Sequence, residues 1–238
     1  MKGNDNNKLR LRKQRLLARA ALKRAGNVKF KPVTSAKWVN VSRAWNGVLL
    51  VQIEHDNIRG VTPEMMRWWF ENLGRTTTWN GIDFSGPEIT FYHLWHHRDH
   101  IKVIPLTSGP NGEPNHGFFP GAKSMIQEQF NDFHDKVHHT MLTTRLDGRE
   151  FTFLIKQFGM TVGRITHTYS STEDGISFYA ETEIGSKIPV FGWLLNWFVI
   201  PWVYSKKTAE HWIRHNIEET GRTEDVLPPL YAARDTFI

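Results

Sequence analysis

The chain contains no cysteine. Disulfides, thiolate metal sites and a cysteine nucleophile are therefore excluded together, and the composition suits a reducing compartment. Residues Met1 to Arg24 lack the apolar central run that a secretory signal needs, so the expected location is cytoplasmic. There is no Gly-rich phosphate loop of either standard spacing, no G-x-S-x-G elbow and no H-E-x-x-H. Nucleotide-dependent and serine-hydrolase chemistry thus lack their motifs. No segment is low in complexity and no repeat of fixed period occurs, which leaves only the N-terminus open to disorder.

Of the 238 residues, 39% are hydrophobic and 23% charged, a balance that supports one large domain with a buried core. The formal net charge of +6 is gathered early, in Lys8, Arg10, Arg12, Lys13, Arg15, Arg19, Lys23 and Arg24. Leucines and alanines are interleaved with them, so residues 1–27 read as a basic helix or tail and 28–238 as the domain. The remaining charge is nearly balanced, so no nucleic-acid partner is expected. A weak contact with a membrane surface and a homodimer stay open.

Val48 to Ile53 has the pattern of a buried strand. Thr62-Pro63 opens a helix through Met65, Met66, Trp69 and Phe70, and Gly74 can end it. Ile89 to Trp95 alternates and is aromatic, which predicts a strand. Strand patterns follow at Ser124–Phe130, Val137–Arg145, Phe151–Phe158, Arg164–Tyr169 and Ile176–Ile184, with short turns that favour an antiparallel meander. Ile188 to Tyr204 is strongly apolar but broken by Pro189, Gly192, Asn196 and Pro201. It is short for a membrane span and reads as a pocket cover or core segment, with a membrane-dipping segment as the alternative. Ser205 to Thr220 is a helix that Gly221 can end, followed by an irregular tail. The expected fold is α+β: a curved antiparallel sheet gripping a long C-terminal helix, with an internal pocket.

Twelve histidines are many for this length. Four of them, His93, His96, His97 and His100, fall within YHLWHHRDH. His211 and His215 lie on the C-terminal helix in HWIRHNIEE, where residues four apart share a face. His215 and Glu219 form an imidazole–carboxylate clip suited to a first-row metal. Glu128 shares its alternation phase with the apolar Ile126 and Phe130 and so should point inward, where an unpartnered carboxylate is costly. A metal would resolve that cost, and so would an Arg, a Lys or a histidine. In the strand reading of YHLWHHRDH, Tyr92, Leu94 and His96 share one face and His93 and Trp95 the other. His167 shares a face with Ile165 and Tyr169, either as a core histidine or in a pocket role.

The segments TPEMMRWWFENL, YHLWHHRDH and AEHWIRHNIEETG resemble the 2,4-diacetylphloroglucinol hydrolase family, over roughly Val48 to Gly221. The resemblance implies a Bet v 1-like helix-grip domain and a mononuclear zinc site of two histidines and two glutamates. It implies a hydrolase that cleaves the carbon–carbon bond between an acyl group and a phenolic ring, acting on a small aromatic acylated substrate. Carried onto this chain, the ligands are His100, Glu128, His215 and Glu219. His100 is preferred because Tyr92 then falls at the spacing of a substrate-contacting tyrosine; His96 is the alternative ligand. The pocket histidine and second tyrosine correspond to His167 and Tyr179, although Tyr179 is in phase with Ser177 and Glu181. His167 or Tyr92 would supply the proton to the leaving ring. The apolar stretch from Ile188 and the helix carrying Trp68-Trp69 would line the pocket. Iron or manganese would suit the same ligands as zinc. The rival expectation is a non-catalytic helix-grip protein that carries a hydrophobic ligand.

Overall fold

Side chains alternate between two faces along a strand, and this period builds most of the domain. The computed structural model describes residues 29–131 and 134–236; the basic stretch expected over residues 1–27 lies outside the described residues. The strands are β1 (Trp38–Arg43), β2 (Leu49–Glu54), β3 (Ile58–Arg59), β4 (Thr76–Thr78), β5 (Glu88–Thr90), β6 (His100–Pro105), β7 (Lys123–Phe130), β8 (Asp135–Leu146), β9 (Glu150–Gln157), β10 (Met160–Ser171) and β11 (Gly175–Ile184). Among the described residues the main sheet runs β1-β2-β11-β10-β9-β8-β7-β6, with β3 added beside β11; β4 and β5 form a separate pair. Every pairing is antiparallel, as the short turns predict. The first strands return to the last through the β2–β11 ladder, in which Glu54 opposes Tyr179.

Helix α1 (Pro63–Asn72) starts as expected: the Thr62 hydroxyl accepts from the Met65 backbone N–H at 3.2 Å, and Pro63 takes the first turn. It buries Met66, Trp69 and Phe70. The strand expected over Ile89 to Trp95 is a correction. Its extended part ends at Thr90, whose hydroxyl accepts from His93 N–H at 3.1 Å and caps a short helix α2 (Phe91–Trp95). All five α2 residues are buried, so aromatic content that suits a strand here serves a buried helical turn.

Helices α3 (Phe191–Phe198) and α4 (Ile200–Val203) occupy the apolar stretch. The expectation that it covers a pocket or joins the core is overturned, because Phe191, Trp193, Leu194, Trp197 and Phe198 are exposed. Helix α5 (Lys206–Ala232) runs past Gly221 and takes in most of the tail expected to be irregular, Arg222 to Ile238. Gly221 leaves room rather than ending the helix: a Cβ there would sit 2.7 Å from the Lys31 side chain. Pro228 and Pro229 lie inside the last turns, which are held by fully buried Val226, Leu227 and Leu230. The core lies between α5 and the inner sheet face, around Ile53, Phe151, Phe153, Ile165, Phe178, Ile213 and Ile217. This is the α+β helix-grip architecture that the pattern predicts. No helix among the described residues is long and apolar enough to cross a membrane.

Candidate metal centre

Burying polar groups without partners is expensive, and α5 buries a continuous run of them. His215, Asn216, Glu218, Glu219, Thr220, Arg222 and Thr223 are all buried. The reason lies opposite them. Strand β6 begins at His100, whose register partner on β7 is Glu128. Glu128 faces inward with Ile126 and Phe130, as its phase predicts. His215 and Glu219, four apart on α5, descend onto this pair.

The two imidazoles are prepared alike. His100 donates Nδ1–H to the Tyr92 carbonyl at 2.6 Å. His215 donates Nδ1–H to Asp99 Oδ2 at 3.2 Å. In the neutral form each is thereby held in the tautomer whose Nε2 carries a lone pair, the arrangement seen for metal-binding histidines. Both Nε2 atoms are buried and have no hydrogen-bond partner among the described residues. Glu219 Oε2 lies 3.2 Å from His100 Nε2 and 3.6 Å from His215 Nε2; Glu128 Oε1 lies 3.9 Å from His100 Nε2. His100, Glu128 and His215 can each aim one ligand atom so that all lie within 4.8 Å of one another. Ligand atoms about 2.0–2.2 Å from a tetrahedral zinc stand about 3.3–3.6 Å apart. The donor set and its spacing fit a divalent first-row metal.

The rival His96 is accounted for differently. Its Nδ1 accepts from Asp99 N–H at 3.0 Å and its Nε2 donates to Glu218 at 3.1 Å. Both nitrogens are engaged, and Phe30 stacks on the ring at 4.5 Å. Tyr92 stacks face to face on His100, with ring centroids 3.7 Å apart, and its hydroxyl donates to Glu128. His167 is buried on the inner face of β10, among Phe70, Phe151, Phe153 and Phe178. It lies three strands from β7, about 14 Å along the sheet at 4.8 Å per strand. Tyr179 is a correction. It points to the outer face with Ser177 and Glu181, donating to Glu181 at 3.3 Å, while Phe178, Ala180 and Thr182 take the inner phase. A role at the centre does not carry onto Tyr179.

Burial pushes the His100 imidazole down to about 3, aided by the charge of His215. Burial also acts to lower His215, but Glu219, the Asp99 hydrogen bond and Glu128 outweigh it and lift it to about 9. Burial lifts the Glu219 carboxyl to about 7, against the pull of His215 and Asn216. The Tyr92 hydroxyl is raised well above its usual range by burial, then by Glu128. A metal bound here would displace the His215 proton, because only the neutral imidazole is a ligand.

Three supporting residues were not among the expected site residues. Asp99 orients His215. Asn216 donates to Glu219 Oε1 at 2.9 Å, and its own oxygen accepts from His55 Nε2–H at 3.1 Å. These side chains are buried as well. Asp99 stands inside the His-rich segment, but its partner is 116 residues away, so only the fold reveals the contact. Trp95 packs at the same centre, its ring 5.6 Å from His100, and Trp69 packs behind it against the Trp95 ring. Trp68 meets Phe91 and Tyr231. A groove of about 740 Å³ lined by Glu54, Arg149, Tyr169 and Tyr179 holds none of the four ligand residues.

The chain matches no protein-family model. No curated protein matches it either. Solved structures are similar at the level of shape. Protein Ms6760 from Mycobacterium smegmatis aligns with 12% identity and a TM-score of 0.42, over 83% of this chain and 99% of that one. The di-domain ARO/CYC StfQ from the steffimycin biosynthetic pathway aligns with 9% identity and a TM-score of 0.46, over 79% of this chain and 53% of that one. Ara h 8.0201 aligns with 8% identity and a TM-score of 0.39, over 74% and 97%. This chain thus spans about half of the di-domain protein.

Proposed function

We propose that this protein is a metal-dependent hydrolase of the diacetylphloroglucinol hydrolase type, cleaving the bond between an acyl carbon and a phenolic ring carbon. One observation carries the reading: two buried imidazole Nε2 atoms without hydrogen-bond partners among the described residues, facing two buried carboxylates. His100, Glu128, His215 and Glu219 would hold the metal, zinc by donor type, with iron or manganese compatible. When bound, such an ion supplies a lowered water pKa and polarises a carbonyl oxygen.

The overall reaction adds water across the acyl–ring bond. Oxygen joins the acyl carbon, which leaves as a carboxylic acid, and the ring carbon takes the proton. Tyr92 would deliver that proton. Its hydroxyl is at the centre and stays protonated at neutral pH, because burial and Glu128 raise its pKa. His167 sits in the aromatic wall rather than among the ligands, and burial keeps it neutral near pH 7 by lowering it to about 3. Trp95, backed by Trp69, would give the centre an apolar, aromatic side suited to a phenolic ring.

The second reading, a non-catalytic carrier of a hydrophobic ligand, is favoured by the groove at Tyr169 and Tyr179, which lies apart from the centre. Metal analysis of the purified protein, paired with turnover of an acylated phenol, separates the two. The hydrolase reading expects one metal per chain and turnover that His215→Ala abolishes. Ligand binding with no stoichiometric metal would replace it with the carrier reading.

A further inference from the structure

Surface helices normally bury their apolar side. Helix α3 does the reverse. Its inward side is Gly192 and Asn196, both buried, and its outward side is Phe191, Trp193, Leu194, Trp197 and Phe198. The helix is held in this orientation. The Asn196 amide donates to the Ser186 carbonyl at 2.9 Å and to the Asn46 carbonyl at 3.1 Å, and its oxygen accepts from Ser186 N–H at 2.8 Å. Arg43 donates to the Asn196 backbone carbonyl at 3.2 Å. Gly192 is pressed so close that a Cβ would stand 2.5 Å from the Ser186 carbonyl oxygen. Rolling the aromatic side inward would break all of these contacts and leave the Ser186 and Asn46 backbone groups without the Asn196 amide.

The patch continues on both sides. In α4, Trp202 is 88% exposed and Val203 68%. The β1–β2 turn, tied to α3 through Asn46, presents Trp45 at 87%. An exposed apolar area of this kind marks an interaction surface. Its charge indicates the partner. Between Ile184 and Ala209 there is no Asp or Glu, while Lys187, Lys206 and Lys207 are all exposed. Lys187 also pairs with Glu183 at 2.8 Å. Tryptophans with lysines at their border suit the boundary between lipid headgroups and acyl chains. A second copy docked symmetrically would set these lysines against themselves. The eight cations between Lys8 and Arg24 carry the same sign, which disfavours that segment as a cover.

We propose that Trp45 and the exposed side of α3–α4 form a docking surface for an anionic phospholipid membrane, on which the protein lies without crossing it. The test is flotation of the full-length protein with phosphatidylcholine vesicles, with and without phosphatidylglycerol. Tryptophan quenching by brominated lipid is read in parallel. Binding should require phosphatidylglycerol, weaken with added salt and quench tryptophan. Trp202→Glu combined with Val203→Glu should weaken it about tenfold or more, with melting temperature and metal content unchanged. Trp45→Glu, on a separate element, should weaken binding in the same direction if the double variant folds poorly. Three results would overturn the proposal: no binding of the wild type to anionic vesicles, equal binding by folded variants, or a wild-type dimer that the variants dissociate while neither form binds lipid.

Discussion

Glu219→Gln tests the metal centre most sharply, because the two roles open to Glu219 predict opposite outcomes. The side chain is buried, with Oε1 accepting from Asn216 and Oε2 facing both imidazoles. Glutamine keeps the shape, and without the Glu219 charge His215 can become neutral and accept the amide N–H at Nε2, so metal-free protein should melt close to the wild-type temperature. Metal binding should suffer. Supporting-residue changes cost about 10- to 100-fold in affinity, so losing a ligand should cost at least about 100-fold. Zinc at about 100 times the wild-type Kd stabilises the wild type by about 2.7 kcal/mol, which is about 5–11 °C for a domain of this size. With a 100-fold weaker site the same zinc gives about 0.4 kcal/mol, or about 1–2 °C. If Glu219 instead served only as the ion-pair partner of His215, its loss would cost about 3–5 kcal/mol, and zinc would shift neither protein. The assay is a melting scan of chelator-treated protein, with and without zinc, together with metal analysis. An equal zinc shift in wild type and variant would refute the ligand assignment.

Glu128→Gln should weaken metal binding by about 100-fold or more, measured by competition with a chelating dye; unchanged affinity with a lower melting point would make it a structural partner of Tyr92. Asp99→Asn should keep the metal but weaken it about 10- to 100-fold, because the His215 tautomer loses its orienting carboxylate; wild-type affinity in that variant would remove Asp99 from the design. His167 carries a folded-state pKa of about 3, below its unfolded value of 6.5. The unfolded state therefore takes the proton first, and the stability from this group is fully present above about pH 6.5 and lost as pH falls toward 3. His167→Phe should flatten the stability-versus-pH slope between those limits by about 1.4 kcal/mol per pH unit, measured by urea unfolding; an unchanged slope would show that His167 does not stay neutral in the fold.

Much of the centre was legible because two periods are rigid. Strand alternation turned Glu128 inward with Ile126 and Phe130, and the four-residue helical spacing placed His215 above Glu219. The same rule placed Tyr179 outward with Ser177 and Glu181, so the family-based role conflicted with the phase, and the phase prevailed. Other elements were hidden by competing signals. Phe91 to Trp95 has strand-like composition, and a single Thr90 cap bond with complete burial turned it into a helix. Gly221 looked like a helix stop, but its small size serves a close approach by Lys31 rather than the helix end. The outward tilt of Phe191 to Val203 was unreadable because it depends on Asn196, an apparent interruption that proved to be the anchor.

The polar groups around the centre fall into two layers with different partners. In the outer layer, Glu218 is met by Arg98 and by His96, and Asp99 by Arg98 and by His215. Those carboxylates have cationic or imidazole donors within hydrogen-bond reach, so burial costs are offset inside the layer. In the inner layer the hydrogen bonds come from neutral groups: Tyr92 donates to Glu128 and Asn216 to Glu219. Both candidate ligand histidines spend their Nδ1–H outward, on Tyr92 O and Asp99, and leave their Nε2 atoms toward the inner carboxylates. Both Nδ1–H donors point away, so once His215 gives up its second proton two Nε2 lone pairs and two carboxylates surround one point, an arrangement that becomes favourable when a cation is held between them.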